Sequence, residues 1–442
     1  MGRRQRRRPP AEPAIIGITD LSHDGRGVGR LEDKAVFVHG ALPGESVRAR
    51  LIALNRRYDE GVCVEVLQAS GDRVNPECAW FEQCGGCALQ HLEHDAQLRF
   101  KHKRLVDNLT RIGEVSPERW LEPLAGEPWF YRRRARLSAR WVSGKGRVLV
   151  GFREKQGRFV ADVGHCRVLH PDLSHQLESL SELLGRLSVA DAVPQVEMAS
   201  GDHGSAIVIR HLRPLDSADL MALKQWSDSA GIAVYLQPKG PETVYRLWPQ
   251  THQLSYALPA FDLEMQFHPQ HFIQVNAGLN RQLVDRSVEL LDLGRHDRVL
   301  DLFCGLGNFT LPLARRAGHV TGVEGSAELI EAARSNASAN GLENVEFDVA
   351  NLAEDCSSKP WFSERFDAAL IDPPRSGAFD ILPVIAASGA RRVLYVSCNP
   401  ATLARDAGEL VRRYGFRLIA AGIADMFPHT AHVESLALFE RP

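Results

Sequence analysis

Residues 391–406, RRVLYVSCNPATLARD, set one cysteine between an apolar run and an Asn-Pro pair. VLYV predicts a short buried strand. Asn399 suits a helix N-cap and Pro400 the first helical position, with the helix running through ATLARDAGELVRRY to Gly415. Cys398 then stands at the mouth of a strand-to-helix turn, facing unpaired amide N–H groups. Such a setting lowers a thiol pKa and exposes the sulfur, which makes Cys398 a candidate nucleophile. The competing reading is a small buried apolar residue, the usual fate of an unpaired cysteine.

A second group of cysteines has metal-ligand spacing. In NPECAWFEQCGGCALQHL, Cys78, Cys84 and Cys87 follow a C-x5-C-x2-C pattern, and Gly85 and Gly86 let the backbone fold tightly around a bound centre. Cys166, in VGHCRVLHP, is the remaining cysteine outside the barrel described below and before the C-terminal third. Four thiolates suit a 4Fe–4S cluster or zinc. His91 and His165 keep a Cys3His zinc site open, but the paired C-x2-C motifs of zinc ribbons are missing, which favours the cluster.

The third candidate is a turn. VLDLFCGLGNFT is an apolar strand entering a Gly-rich loop, but Gly305 and Gly307 are followed by Thr310, so the third glycine of a dinucleotide fingerprint is missing. Asp301 before the turn fits instead the D-x-F-x-G-x-G pattern of S-adenosylmethionine (SAM) methyltransferases. Glu324, ending the next strand (HVTGVE), is placed to accept hydrogen bonds from ribose hydroxyls. In FDAALIDPPRSG another apolar strand delivers Asp372 to its carboxyl end, where open α/β sheets bind ligands. With Arg375 in place of an aromatic residue, the amino-methylating D/N-P-P-Y motif is a poor match.

The elements that must position these residues follow from the rest of the 442-residue chain, whose length predicts several domains. Residues 1–14 form a basic tail without the apolar stretch of a signal peptide, and no apolar run is long enough to span a membrane. A cytoplasmic protein is expected, whose eight cysteines serve as thiols or metal ligands. Residues 15–70 alternate short strands with turn signals (DGRG, LEDK, LPGE, YDEG), predicting a small β-barrel that resembles the OB-like TRAM domain of RNA-modifying enzymes. Residues 71–265 hold the cysteine loop and a central α+β domain. A basic helix near 92–113 is expected to pack on the catalytic domain. Residues 266–442 alternate strand and helix, as a parallel sheet does.

The net charge of −2 hides strong local asymmetry. Between residues 125 and 160, ten Lys/Arg face only Glu127 and Glu154, a balance of +8, and residues 3–8 add five arginines. Alternation along YRRRARLSARW sets Arg132, Arg134 and Arg136 on one face. Two basic blocks on an acidic chain favour a polyanion such as nucleic acid.

Taken together, FIQVN, DLFCGLGNF, IDPPR, VSCNP and HTAHVES resemble, in order and spacing, the RNA uracil-C5 methyltransferase family. With the barrel and the four-cysteine set, the resemblance reaches nearly the whole chain and is strongest to bacterial members acting on 23S ribosomal RNA. It implies a Rossmann-like SAM-dependent domain, an N-terminal TRAM barrel and a central α+β domain carrying a 4Fe–4S cluster on Cys78, Cys84, Cys87 and Cys166. It further implies Cys398 as nucleophile, Glu434 as base, and SAM contacts from Gln274, Phe303, Asn308, Glu324, Asn351 and Asp372. The expected product is 5-methyluridine in 23S rRNA, made by a monomer. The same chemistry on tRNA and a non-catalytic iron–sulfur RNA-binding protein are the alternatives. By residue chemistry alone Glu434 reads as a strand-edge surface glutamate.

Overall fold

A computed structural model describes residues 10, 12–155 and 157–441; the five arginines of residues 3–8 lie outside the described residues. The chain divides into two compact units, Met1–Arg104 with Phe427–His432, and Leu105–Met426 with Val433–Pro442.

The first unit carries a closed barrel of β1 (Ala14–Leu21), β2 (Gly27–Leu31), β3 (Lys34–His39), β4 (Ser46–Leu54) and β5 (Tyr58–Gln68), ordered β1-β2-β3-β5-β4. Period-two alternation explains it: Ile16, Ile18, Val36, Val38, Val47 and Ala49 point inward and form its core. Inside β2, a Cβ on Gly29 would stand 2.5 Å from the Gly17 carbonyl oxygen, so only glycine lets the strands approach there. The cysteine-bearing loop follows, then helix α1 (His94–Asn108).

The second unit opens with the short β6 (Arg119–Trp120) and contains two larger sheets. The first has six strands: β7 (Arg134–Val142), β8 (Arg147–Gly151), β9 (Gln195–Ser200), β10 (Ser205–Arg210), β11 (Ile232–Gln237) and β12 (Tyr245–Trp248). Helices α2 (Pro171–Ser174), α3 (Leu177–Arg186) and α4 (Ser217–Ala230) accompany it. α4 is sharply bounded, by an Asp216–Asp219 capping box and by Gly231 in the left-handed region, and it carries the chain from β10 to the parallel β11. A hairpin of β13 (Leu254–Leu258) and β14 (Leu263–Phe267) leads into helix α5 (Ala277–Leu291).

The remaining elements are β15 (Arg298–Leu302), α6 (Thr310–Ala314), β16 (His319–Glu324), α7 (Ala327–Ala339), β17 (Val345–Val349), β18 (Ala368–Ile371), α8 (Leu382–Ala387), β19 (Arg392–Ser397), α9 (Pro400–Arg412), β20 (Arg417–Ala424) and β21 (Glu434–Glu440). With β6 their strands form an eight-stranded sheet ordered β17-β16-β15-β18-β19-β21-β20-β6. β21 alone runs against the others. Helices cover both faces, which is why VLDL, AALI and VLYV are continuous apolar runs with almost no exposed surface.

α9 starts as its sequence predicts, with the Asn399 side chain accepting from the Ala401 N–H (3.2 Å) and Pro400 following it. It ends at Arg412, earlier than expected: Gly415 turns left-handed (φ 71°) and the Phe416 N–H closes back on the Leu410 carbonyl.

Candidate active site

All five parallel strands β15–β19 end at one edge of the sheet, and the antiparallel β21 begins there. This brings together residues that sequence spacing leaves far apart. Leu302 pairs with Val323 and with Ile371, so Phe303, Glu324 and Asp372 leave adjacent strands side by side. Glu324 pairs with Val349, two residues before Asn351. Ser397 pairs with Ser435, and one further step of that register sets Cys398 opposite Glu434.

Cys398 is partly accessible, whereas Glu434 is only 3% exposed, sealed within a sheet interior rather than at its surface edge. The expected lowering of the thiol pKa is not found. Burial, then the negative fields of Glu434 and Asp372, push the Cys398 thiol up, and Arg375 with a main-chain hydrogen bond opposes them only in part. Burial of the thiol, with two carboxylates delivered by other strands, outweighs what lowers it. Burial also raises Asp372, and it raises Glu434 well above the usual carboxylate range, reinforced by the charge of Asp372. Two carboxyl groups sharing a desolvated patch resist ionising together, so one of them holds a proton near neutrality.

The loops bearing these groups are tied to each other. The Asn399 side chain donates to the Arg375 carbonyl (2.9 Å), and the Thr402 hydroxyl reaches the same oxygen (3.3 Å). Beneath them, the buried Asp406 carboxylate accepts from the Tyr395 hydroxyl and the Ala378 N–H, both at 2.8 Å.

The glycine turn is shaped for close approach. Phe303, Gly305 and Gly307 have φ of 64°, 55° and 94°, and a Cβ on Gly307 would come within 2.6 Å of Leu311 Cδ1. Glu324 accepts from the N–H groups of Ser326 (3.0 Å) and Gly305 (3.3 Å), so its carboxylate braces the turn. Asp301, fully buried, accepts from the Thr310 hydroxyl (2.5 Å) on one oxygen, while the other has no hydrogen-bond partner. Burial raises its pKa to about 7, opposed by the Thr310 hydrogen bond and helped by Asp372 and Glu324. Cys304, in the same turn, is buried with its thiol pushed up by desolvation, as a packing residue would be.

Asn308 shows a constraint that sequence reading missed. Its amide exchanges two hydrogen bonds with Asn280 (2.9 and 3.0 Å) and accepts a third from the Tyr256 hydroxyl (2.9 Å). Asn280 and Tyr256 carry no motif, and only the fold brings them here. Gln274 is half-buried in the stretch after β14, which the basic strand holds: the Arg133 N–H donates to the Val275 carbonyl, and the Arg134 guanidinium to the carbonyls of Gln270 and His271. Part of the basic block thus fixes FIQVN in place. Beside the turn, a groove of about 560 Å³ is lined by Phe303, Asn351, Pro374 and residues 376–381. Asn351 is exposed, its side chain bonded to Glu354 (2.7 Å).

Cys78, Cys84 and Cys87 occupy one loop of the first unit, and Cys166 belongs to the second. The loop consists of successive turns, with the Phe81 N–H on the Cys78 carbonyl and the Cys84 N–H on that of Trp80. The Gly86 N–H points at Cys84 Sγ (3.4 Å), the kind of contact that tunes a metal-bound thiolate. Among the described residues, which include all eight cysteines, there is no disulfide. No helix of the described residues is long and apolar enough to cross a membrane.

Residues 246–442 match the family model described as tRNA (Uracil-5-)-methyltransferase, and residues 16–64 match the TRAM domain. Proteins named 23S rRNA (uracil(1939)-C(5))-methyltransferase RlmD are similar along their whole length. The one from Alkalilimnicola ehrlichii is 52% identical, covering 100% of this chain and 99% of its own. That from Methylococcus capsulatus is 48% identical, covering 100% of both. Among solved structures, the Pyrococcus abyssi tRNA (uracil-54, C5)-methyltransferase in complex with S-adenosyl-L-homocysteine superposes with a TM-score of 0.74 at 25% identity, covering 97% of this chain and 100% of that one.

Proposed function

The chain belongs to the RNA uracil-C5 methyltransferase family and is a SAM-dependent enzyme, and we propose that it methylates carbon 5 of a uracil in 23S ribosomal RNA through a covalent bond from Cys398 to carbon 6. The observation that carries this reading is the strand register that sets Cys398 opposite Glu434 at the end of the glycine-turn strand's sheet.

Carbon 5 of uracil is a poor nucleophile, and the chain's own groups change that. The Cys398 thiolate adds to carbon 6, a C–S bond forms, and the pair of the 5,6 double bond moves into an enolate with carbon 5 nucleophilic. Bound SAM supplies an electrophilic methyl group for that carbon. Glu434 then takes the proton from carbon 5, the double bond re-forms, and the C–S bond breaks to release the thiolate. A buried carboxylate with a raised pKa is a stronger base than an exposed one, which suits Glu434 to this step.

The residues around the turn fit SAM. The unpartnered Asp301 oxygen, the left-handed turn and the groove beside Phe303 form a cradle, and Gly307 lets the turn pack against Leu311, where a Cβ would collide. Phe303, Asn351 and Asp372 line or adjoin the groove, Glu324 would accept from the ribose, and Gln274 and Asn308 would complete the set. Asn308 has one side-chain N–H left for this, the rest being engaged with Asn280 and Tyr256. Cys78, Cys84, Cys87 and Cys166 would hold a 4Fe–4S cluster, whose role is structural or RNA-facing because methyl transfer needs no net electron flow. The target base must leave its stack to reach the sulfur. The thiol, the base and the cofactor contacts assigned here all come from one chain, which supports action as a monomer, and a 23S rRNA substrate would be met in the cytoplasm.

Full-length relatives at 48–52% identity support 23S rRNA over tRNA, the substrate in the name of the archaeal structural relative. Labelled-methyl transfer from SAM to separated 23S, 16S and tRNA fractions of a strain lacking this gene tests the proposal. Label confined to 23S RNA as 5-methyluracil, and lost in Cys398→Ala, is expected. Label in tRNA would overturn the substrate, and full activity in Cys398→Ala the mechanism.

A further inference from the structure

Within the second unit, distinct from the groove beside Phe303, lies a cleft of about 490 Å³ whose lining includes Arg136, Glu197, Arg210, Gln237, Lys239 and Phe272. It sits at the carboxyl ends of two parallel strands. Arg210 closes β10, Gln237 closes β11, and the two residues pair in register. Ligands of open α/β sheets collect at such edges.

The charges in the cleft are unbalanced. Glu197 is its one interior carboxylate, and it is shared between Arg134 at 3.5 Å and Arg136 at 2.9 Å. Arg134 spends its remaining donors on the carbonyls of Gln270 and His271, so its role is architectural. Arg136 differs, with 68% of its side chain exposed despite the Glu197 contact. Glu328, at the far wall, faces His271 at 3.1 Å. That leaves Arg210 and the exposed Lys239, and Arg210 Nε is a buried donor with no acceptor. A buried donor without a partner is costly, which marks it as waiting for an acceptor. At the rim Phe272 is 64% exposed, two residues before Gln274.

We propose that this cleft is a phosphodiester subsite, in which Arg210 and Lys239, with Arg136 beside them, hold the backbone of the RNA strand that presents the target base. The inference rests on the RNA-methylating reading above. The cleft is far roomier than one phosphate requires, and its three cationic donors come from two strands and a loop, as a chain passing through would need. Contacts to phosphate fix position and register without reading sequence, and they release counterions, which gives a signature in salt.

The test uses the full-length protein and an unmodified transcript of 23S rRNA, with binding followed over a series of salt concentrations. Arg210→Gln combined with Lys239→Gln is expected to weaken binding about tenfold or more at moderate salt. It should flatten the slope of log K against log salt by about 0.7 to 0.9 for each phosphate that the variant no longer neutralises. SAM affinity and the thermal midpoint should stay at wild-type values, and Arg210→Lys should keep the slope. Lys239→Gln alone, on an exposed side chain, guards against misfolding and should flatten the slope by a single phosphate's share. An unchanged slope in folded variants would overturn the proposal, as would loss of inorganic phosphate binding with RNA binding intact. Wild-type methyl transfer is measured in parallel. Its absence would reject the methylation reading and leave the salt slope to decide the subsite.

Discussion

Cys398 and Glu434 face each other across β19 and β21, one step beyond the Ser397–Ser435 pair, and that antiparallel register couples their charges. A thiol beside a helix N-terminus alone would be acidic; this one is raised by burial and by its carboxylate neighbours. Attack on a base therefore depends on how the pair of carboxyls, Asp372 and Glu434, is protonated.

The first expectation concerns that coupling. With the thiol pKa raised, the thiolate fraction at neutral pH is small, so alkylation of Cys398 by iodoacetamide should accelerate as pH rises past an ordinary thiol's pKa of about 8.5. Removing a negative neighbour with Glu434→Gln should move the midpoint down. A wild-type midpoint below the ordinary value would show that the helix terminus dominates after all.

Asp301 links the cofactor turn to stability. Its carboxyl is raised from 3.8 to about 7 in the folded state, so the folded protein binds more protons than the unfolded chain between those values. Stability from this group is greatest below pH 4 and declines as pH rises to about 7, by up to roughly 4 kcal/mol in total. Denaturant melts of the protein without SAM at pH 5 and pH 7.5 should show the decline, and Asp301→Asn should flatten it. An equal pH dependence in the variant would place the titration elsewhere.

Asn399 serves two loops with one amide, capping α9 through its oxygen and holding the Arg375 carbonyl through its nitrogen. Asn399→Ala should cost about 1–2 kcal/mol of stability and lower kcat. Asn399→Asp keeps the cap but cannot donate, so stability should recover while kcat stays low. Recovery of both would confine Asn399 to capping.

The VSCNP turn shows what a sequence displays and what it hides. Strand, cap and helix start are local, set by VLYV, Asn399 and Pro400, and all three stand where residue chemistry puts them. The thiol's electrostatics depend on Asp372 and Glu434, whose approach is a property of strand order, and no window around Cys398 contains it. Asn308 was legible as a motif residue, but its clamp by Asn280 and Tyr256 was not, because those partners come from α5 and β13. Likewise Arg134, one of three arginines that alternation sets on one face, donates to backbone carbonyls. In the central sheet only the basic β7 and its surroundings gave a functional signal in sequence, because β9, β10 and β11 are mostly apolar runs.

The four-cysteine set predicts a metal content. Protein purified without oxygen should be brown and carry about four irons per chain, and replacing Cys84 by Ala should bleach it. Stoichiometric zinc under the same conditions would contradict the cluster.

The most direct measurement is the intact mass of Glu434→Gln after incubation with SAM and the 23S transcript, followed by nuclease digestion. The protein should carry a methylated nucleotide on the peptide containing Cys398, since the adduct forms but its carbon-5 proton has no base to take it. Unmodified protein alongside unmodified RNA, or turnover undiminished in this variant, would contradict the covalent route and the role of Glu434 in it.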